Sequence, residues 1–234
     1  MTRIYHKDID GLHCLCCSGE GNEGNEGRIA YILYPAEGML DNWIQQAVEK
    51  YRVDIVVITD MDWQNVFSPW PSEGVPAGSP DFKGQSPEFL ATLREKVIPV
   101  IETAIGIGDA PERTLVGVSM SGLFALWQWM ECDTFRNIAS LSGSFWYKGF
   151  MDWLSAATIP DKSGTAFFLL GSQESKSPVR AFNTVGANTA AIVATLEKSG
   201  IKAIFESVPG NHYSNPIPRL NAAFSALYPT TAPA

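Results

Sequence analysis

The residues whose types and spacing are best suited to catalysis surround Ser119. Residues 115–122 read Leu-Val-Gly-Val-Ser-Met-Ser-Gly, an apolar run that leads through Gly117-x-Ser119-x-Ser121 into a helix-like segment. A strand that turns sharply into a helix at a serine lifts the hydroxyl above the sheet, and small flanking residues let the backbones pack closely there. The alternative is a helix-capping serine in a non-catalytic domain. The strand before Ser119 and the helix after it favour a nucleophile.

A serine hydroxyl is a weak nucleophile and needs a general base. The chain has three histidines, His6, His13 and His212, and only His212 follows Ser119. Where a strand–serine–helix turn carries the nucleophile, the chain order is serine, acid, histidine. His212 also comes directly after a predicted strand, in Pro-Gly-Asn-His at residues 209–212. We therefore expect His212 to be the base.

The acid should follow the strand that precedes the histidine strand. Residues 171–211 contain no aspartate, and their carboxylates are Glu174, Glu197 and Glu206. Glu197 falls late in a predicted helix and Glu206 inside a predicted strand, whereas Glu174 lies in the loop. Glu174 would fix the tautomer of the histidine and stabilise the imidazolium. A solvated loop glutamate is the alternative.

The tetrahedral intermediate of an acyl transfer needs aligned N–H donors around its oxyanion. The backbone N–H of Met120, one residue after the nucleophile, is the expected first donor. The second should come from the loop after a predicted strand at residues 28–34. Pro35 has no N–H, so Ala36 or Glu37 is the candidate.

Apolar runs alternate with helix-like segments, which predicts parallel strands joined by helices. Residues 12–18 and 28–34 should form a hairpin around a tandem Gly-Asn-Glu repeat. Further strands are predicted at residues 53–59, 114–118, 137–142, 166–170 and 201–208, and helices at 40–51, 89–105 with a kink at Pro99, 121–131, 187–199 and 217–227. The pattern predicts one α/β domain over residues 1–234, with a mostly parallel sheet of about eight strands and helices on both faces.

Aromatic residues cluster in two loops that should border the expected catalytic edge, at residues 60–87 and 145–153. Aromatic side chains line many ligand sites, although they also fill cores. Arg180 could meet an anionic group of a substrate or merely be solvated. The residues that we expect to bind substrate are Trp63, Phe67, Trp70, Phe145, Trp146, Tyr147 and Arg180.

Composition excludes some classes of function. The net charge of −8 and pI of about 4.9 argue against nucleic acid as a partner. No apolar run of membrane-spanning length occurs, and the N-terminus lacks the apolar core of a secretory signal, so we expect a cytoplasmic protein. Cys14, Cys16 and Cys17 lack a second ligand pair and should be reduced residues of a strand. We expect no metal and no cofactor, and the oligomeric state is left open.

Several motifs together resemble the esterase D and enterochelin-esterase-like α/β-hydrolases. They are residues 117–126 (GVSMSGLFAL), 140–146 (SLSGSFW), 171–174 (Gly-x-x-Glu), 187–188 (Ala-Asn), 209–212 (PGNH) and 97–102 (VIPVIE). The resemblance covers roughly residues 28–228. It implies the α/β-hydrolase fold, with Ser119 as nucleophile, Glu174 as acid and His212 as base.

Three positions depart from the pattern of that family. Ser121 stands where a glycine is usual, and Gly-Asn-His at residues 210–212 replaces Gly-Gly-His. The small oxyanion loop of the family becomes Pro-Ala-Glu at residues 35–37, which leaves the second donor open.

The leading hypothesis is hydrolysis of a small-molecule carboxylic ester through an acyl-Ser119 intermediate. Acyl transfer to an alcohol would use the same intermediate, and the sequence does not separate the two reactions. A non-catalytic binding module is the third reading, but such a protein would be expected to lose its serine, acid or base.

Overall fold

The computed structural model describes residues 2–19, 27–36, 38–108 and 110–229. The Gly-Asn-Glu repeat and Glu37 lie outside these residues. The strands are β1 (Thr2–Ile9), β2 (Leu12–Gly19), β3 (Arg28–Leu33), β4 (Asp54–Thr59), the short β5 (Pro71–Ser72) and β6 (Phe82–Lys83), β7 (Glu112–Val118), β8 (Asn137–Leu141), β9 (Thr165–Gly171) and β10 (Lys202–Val208). The α-helices are α1 (Asp41–Tyr51), α2 (Ser86–Thr92), α3 (Ile98–Ile105), α4 (Met120–Glu131), α5 (Phe150–Ala156), α6 (Val185–Lys198) and α7 (Pro216–Leu227).

Eight strands form one sheet in the order β1-β2-β4-β3-β7-β8-β9-β10. The six strands from β4 to β10 in that order are parallel, and β1 and β2 add an antiparallel edge. Helices α1 and α7 cover one face, and α2 to α6 pack on the other. This arrangement confirms the predicted α/β fold with a mostly parallel sheet of about eight strands.

The predicted hairpin between residues 12–18 and 28–34 is wrong. Strand β2 pairs with β1 on one side and with β4 on the other, so β4 lies between β2 and β3. Every residue of β4 is buried, which suits a strand inside the sheet. The alternation of residues within a strand shows its faces but not its neighbours. Strand β1 was not predicted, because this edge strand has many exposed polar residues and lacks an apolar run.

The helical segment predicted at residues 89–105 is longer in the structure than predicted, and it is not α-helical throughout. It begins at Ser86, and a π-helical turn, Leu93–Val97, separates α2 from α3. Pro99 lies in the first turn of α3, where a missing N–H is tolerated. The predicted aromatic loop at residues 145–153 also contains the start of α5.

The carboxyl ends of the parallel strands place three connections at one edge of the sheet. Strand β7 ends directly before Ser119, β9 ends three residues before Glu174, and β10 ends four residues before His212. Strands β7, β8, β9 and β10 are consecutive neighbours in the sheet, so the connections that follow β7, β9 and β10 lie close together.

In the described part of the chain, no helix is long and apolar enough to cross a membrane.

The three cysteines that the sequence places in a strand are buried in β2, with Cys14 and Cys16 on one face of the sheet and Cys17 on the other. Burial raises the pKa of the Cys14 thiol and of the Cys16 thiol to about 12 each. Such thiols are protonated at neutral pH and react slowly, because the thiolate is the reactive form.

We predict that Ellman's reagent modifies at most one thiol of the native protein, the half-buried Cys132. All four thiols should react after denaturation. A Cys132→Ser variant is the control and should release no thionitrobenzoate in the native state. Rapid native modification of two or more thiols would contradict this view of β2.

Candidate active site

Ser119 adopts a strained backbone conformation between β7 and α4, with φ of 56° and ψ of −118°. A side chain is rarely found at such positive φ, and strain of this kind is held only where neighbours fix it. Gly117 is required there, because a Cβ on it would lie 2.0 Å from the carbonyl oxygen of Ser121. The sharp turn between strand and helix is the one that the sequence predicts.

Ser121 explains how the turn forms without the usual second glycine. Its Oγ accepts a hydrogen bond from the backbone N–H of Val118 at 2.7 Å and lies 3.1 Å from the carbonyl oxygen of Leu33. The hydroxyl therefore ties the turn to the end of β3. Here serine adds a bond that glycine could not make.

Ser119, His212 and Glu174 lie in one hydrogen-bonded row. The Oγ of Ser119 is 3.1 Å from Nε2 of His212, and Nδ1 of His212 is 3.0 Å from Oε2 of Glu174. The side chain of Glu174 is only 4% exposed, whereas that of His212 is 34% exposed. The imidazole therefore meets solvent while its carboxylate partner does not.

The carboxylate of Glu174 is held by several donors besides His212. Its Oε1 accepts from the backbone N–H of Gly171 at 2.6 Å, from Oγ of Ser142 at 2.7 Å and from Nη1 of Arg219 at 3.0 Å. Burial alone would raise the pKa of this carboxyl, but the bonds from His212, Ser142 and Gly171 outweigh burial and lower the pKa to about 2. Glu174 is therefore ionised at any pH near neutrality.

Arg219 is a buried residue of this network that the sequence interpretation missed. From α7 its guanidinium bonds Glu174 and Ser142, and its Nη2 donates to the carbonyl oxygen of Asn211, next to His212. It thus joins the loop of Glu174 to the loop of His212. The available signal was that Arg219 is the single charged residue of the predicted helix at residues 217–227.

Met120 is the first residue of α4, so helix geometry leaves its N–H without an intrahelical acceptor. Ala36, the other described candidate for the oxyanion, lines a cavity that does not include Ser119. Glu37 is outside the described residues.

Two cavities flank Ser119 and His212. The first, here the Trp63 cavity, has a volume of about 380 Å³, and the second, here the Trp146 cavity, about 360 Å³. Tyr213 borders both and is 91% exposed. The Trp63 cavity is further lined by Tyr34, Pro35, Met39, Val118, Leu141, Ser214, Pro216 and Arg219, and the Trp146 cavity by Ser142, Glu174, Ser177, Pro178, Val179, Phe182 and Val185.

Of the residues expected to bind substrate, only Trp63 and Trp146 line these cavities. Phe67, Phe145 and Tyr147 are buried in the hydrophobic core instead. The other two also line neither cavity: Trp70 packs near Phe150 and Trp153 with its N–H on the carbonyl oxygen of Lys148, and Arg180 is exposed at the start of a 3₁₀ turn. An aromatic loop that packs against α4 and α5 fills the core with some of its rings, and sequence position does not separate these from pocket residues.

Sequence reasoning also missed Tyr213 and Phe182, which line the cavities. Tyr213 follows the proposed base directly, and this adjacency was the available signal. Phe182 lies in the 3₁₀ turn Arg180–Thr184 and packs on Trp146 with ring centroids 4.6 Å apart. No periodic pattern marks so short a turn.

A family model described as "Putative esterase" matches residues 33–224 of the chain. A curated relative from Bacillus subtilis (strain 168), "Uncharacterized protein YbbA", is 24% identical over 138 residues, which are 57% of this chain and 55% of the relative. The chain therefore matches only about half the length of that relative.

Solved structures share the fold at low sequence identity. An IroE-like serine hydrolase from Shewanella oneidensis has a TM-score of 0.79 at 17% identity, over 97% of this chain and 80% of the other. The enterobactin and salmochelin hydrolase IroE has a TM-score of 0.74 at 17% identity, over 98% and 95% of the two chains. The siderophore hydrolase EstB from Aspergillus nidulans has a TM-score of 0.72 at 16% identity, over 100% and 97%.

We predict that Glu174→Gln lowers the free energy of unfolding by about 3 kcal/mol at pH 6, because it leaves the buried Arg219 without its anion. The folded-state pKa of Glu174, about 2, is below its ordinary value of 4.5. Its ionic contribution is therefore complete above the ordinary value and is lost as the pH falls through the folded value.

The difference between wild type and Glu174→Gln should accordingly shrink from pH 6 to pH 3. Urea unfolding at both pH values measures it. Glu197→Gln, an exposed glutamate late in α6, is the matched control and should change little at either pH. A difference that stays constant down to pH 2 would show that Glu174 is not held as a buried anion.

Proposed function

The chain belongs to the family described as "Putative esterase", and on that premise we propose that it hydrolyses a carboxylic ester with Ser119, His212 and Glu174 as its catalytic triad. Membership supports the class, carboxylic ester hydrolase. The observation that carries the triad is the unbroken row from Ser119 Oγ through both ring nitrogens of His212 to the carboxylate of Glu174.

In the first step His212 takes the proton of Ser119 as its Oγ attacks the ester carbonyl. The imidazolium that forms has its Nδ1–H on the ionised Glu174, which stabilises the new positive charge. Because Glu174 has a pKa of about 2, it stays an anion and takes no proton itself. The bond between imidazole and carboxylate also fixes the tautomer that leaves Nε2 open toward the serine.

The attack gives a tetrahedral intermediate with a negative oxygen. The N–H of Met120 at the start of α4 is our proposed first donor to this oxygen, and the helix N-terminus adds a favourable dipole. We keep the loop after β3, at Ala36 or Glu37, as the proposed source of the second donor.

His212 then gives its proton to the leaving alcohol, and an acyl-Ser119 remains. Water, activated by the same histidine, hydrolyses this intermediate and restores the serine. An alcohol in place of water would give acyl transfer. Product analysis with an added alcohol separates the two outcomes.

The cavities on either side of Ser119 suit a substrate whose two halves extend in different directions. Trp146, Phe182 and Tyr213 give the Trp146 cavity aromatic walls, which favour flat groups through stacking and burial of area. We propose short or aromatic acyl esters as substrates, including hydroxycinnamoyl and catecholate types. That structural neighbours are named siderophore hydrolases supports including siderophore esters among the test substrates.

We predict that Ser119→Ala lowers kcat/KM for a short p-nitrophenyl ester by about 10⁴-fold or more, since removal of a nucleophile removes the acyl-enzyme route. Ser177→Ala, a serine of the same Trp146 cavity, is the control and should keep its activity within about tenfold. A fluorophosphonate should label wild type and Ser177→Ala but not Ser119→Ala. A folded Ser119→Ala protein with an undiminished rate would overturn the mechanism.

We predict higher kcat/KM for acetyl, butyryl and feruloyl esters than for a decanoyl ester. A CH₂ that stays outside the cavities gains none of the free energy, about 0.8 kcal/mol, that burial of a CH₂ supplies. Trp146→Ala should reduce kcat/KM more for the feruloyl than for the acetyl ester, whereas Arg180→Ala, which lies outside both cavities, should change neither. A clear maximum at decanoyl would show that an acyl tunnel is present instead.

A further inference from the structure

His6, Asp8 and His13 form a hydrogen-bonded group on the first hairpin, apart from the proposed triad. Nδ1 of His6 lies 2.9 Å from Nε2 of His13, and Nδ1 of His13 lies 2.8 Å from Oδ1 of Asp8. The proposed ester hydrolysis uses none of these residues.

Strand pairing brings the two imidazoles together. In the antiparallel register of β1 with β2, Asp8 lies opposite His13 and His6 lies opposite Leu15. His6 and His13 are therefore diagonal neighbours on one face of the sheet, a separation that long side chains can bridge. His6 and Asp8 are exposed and His13 is half-buried, so a solute can reach the pair.

Asp8 determines which nitrogen of His13 faces His6. An ionised carboxylate accepts a hydrogen bond from Nδ1–H of His13, which leaves Nε2 as the nitrogen with a lone pair. A histidine whose far N–H is held by a carboxylate is the usual arrangement of a metal-binding imidazole, because the carboxylate orients the ring and raises its basicity. His6 presents its Nδ1 to the same point once its proton is on Nε2.

The chemistry of the ligand atoms favours one group of metal ions. The 2.9 Å between Nδ1 of His6 and Nε2 of His13 is the length of an N–H···N hydrogen bond, so a metal ion binds only after the shared proton has moved to Nε2 of His6. Imidazole nitrogens suit first-row transition metals, and a site that combines nitrogen with oxygen ligands, here from the cavity wall or water, favours Cu²⁺ and Ni²⁺.

Although the sequence predicts no metal, we propose that His6 and His13, oriented by Asp8, bind a divalent transition metal ion of the Ni²⁺ and Cu²⁺ type. A cavity of about 220 Å³ beside the pair gives room for water ligands, and Asp41 and Thr59 on its wall offer oxygen atoms. Among the described residues, no group of three or more potential ligands is already arranged around one metal position.

The proposed metal site adjoins the loop that follows β3. Pro35 and Met39 of this loop line the Trp63 cavity with Ser119, while Ala36 and Gly38 line the cavity beside the histidines. A bound ion would therefore sit behind the loop that borders the proposed catalytic serine. The site itself does not depend on the proposed ester hydrolysis.

Calorimetric titration of the tag-free full chain with Ni²⁺ tests the proposal. We expect one ion per chain, with affinity reduced more than about 100-fold by His6→Gln or His13→Gln and about tenfold by Asp8→Asn, as for loss of an orienting carboxylate. His212→Gln is the control, because it removes the remaining histidine, and it should bind Ni²⁺ as wild type does.

A second measurement uses the wild-type protein alone. Substoichiometric Ni²⁺ should broaden the imidazole NMR signals of His6 and His13 and leave those of His212 sharp. Absence of binding at millimolar Ni²⁺, binding that survives the double substitution His6→Gln/His13→Gln, or broadening confined to His212 would each overturn the proposal. Because both readouts measure binding alone, a failed esterase assay does not affect them.

Discussion

A buried carboxylate organises this edge of the molecule. An ionised group away from water is tolerated only where donors replace its hydration. Glu174 receives such donors from the ends of β8 and β9, from α7 and from the histidine loop. Since these segments are far apart in sequence, satisfying one carboxylate fixes the positions of the connections that must meet. The hydrogen bond to Glu174 in turn orients the imidazole of His212.

The site also needs the turn at Ser119, and neighbouring residues of the same turn stabilise it. Gly117 gives the space that the turn requires, and the hydroxyl of Ser121 joins the turn to β3. Together with the ionised Glu174, these contacts hold Ser119 and His212 within hydrogen-bond reach before any substrate binds. Preorganisation of this kind reduces the entropy that a reaction must lose when its groups are brought together.

The cavities differ in origin from the row of catalytic candidates. Their walls come from the loops after β3, β4, β8, β9 and β10, including Trp63, Trp146 and Tyr213. Loops of this kind change shape without disturbing the sheet, so a scaffold of one family accepts different esters. The aromatic rings of the same loops that pack on α4 and α5 serve the core instead. One short segment, residues 145–147, contains both kinds of residue.

The sequence by itself determined the parallel α/β pattern and selected Ser119, Glu174 and His212 as candidates, because periodicity, chain order, the scarcity of histidine and the absence of aspartate from residues 171–211 are local or countable properties. Tertiary structure alone decided that β4 separates β2 from β3, that Phe67 and Tyr147 are core residues, that Arg219 reaches Glu174, and that His6 faces His13. Each of these depends on which distant segments become neighbours. A linear pattern of apolar and polar residues shows the buried face of an element but not the element that covers it.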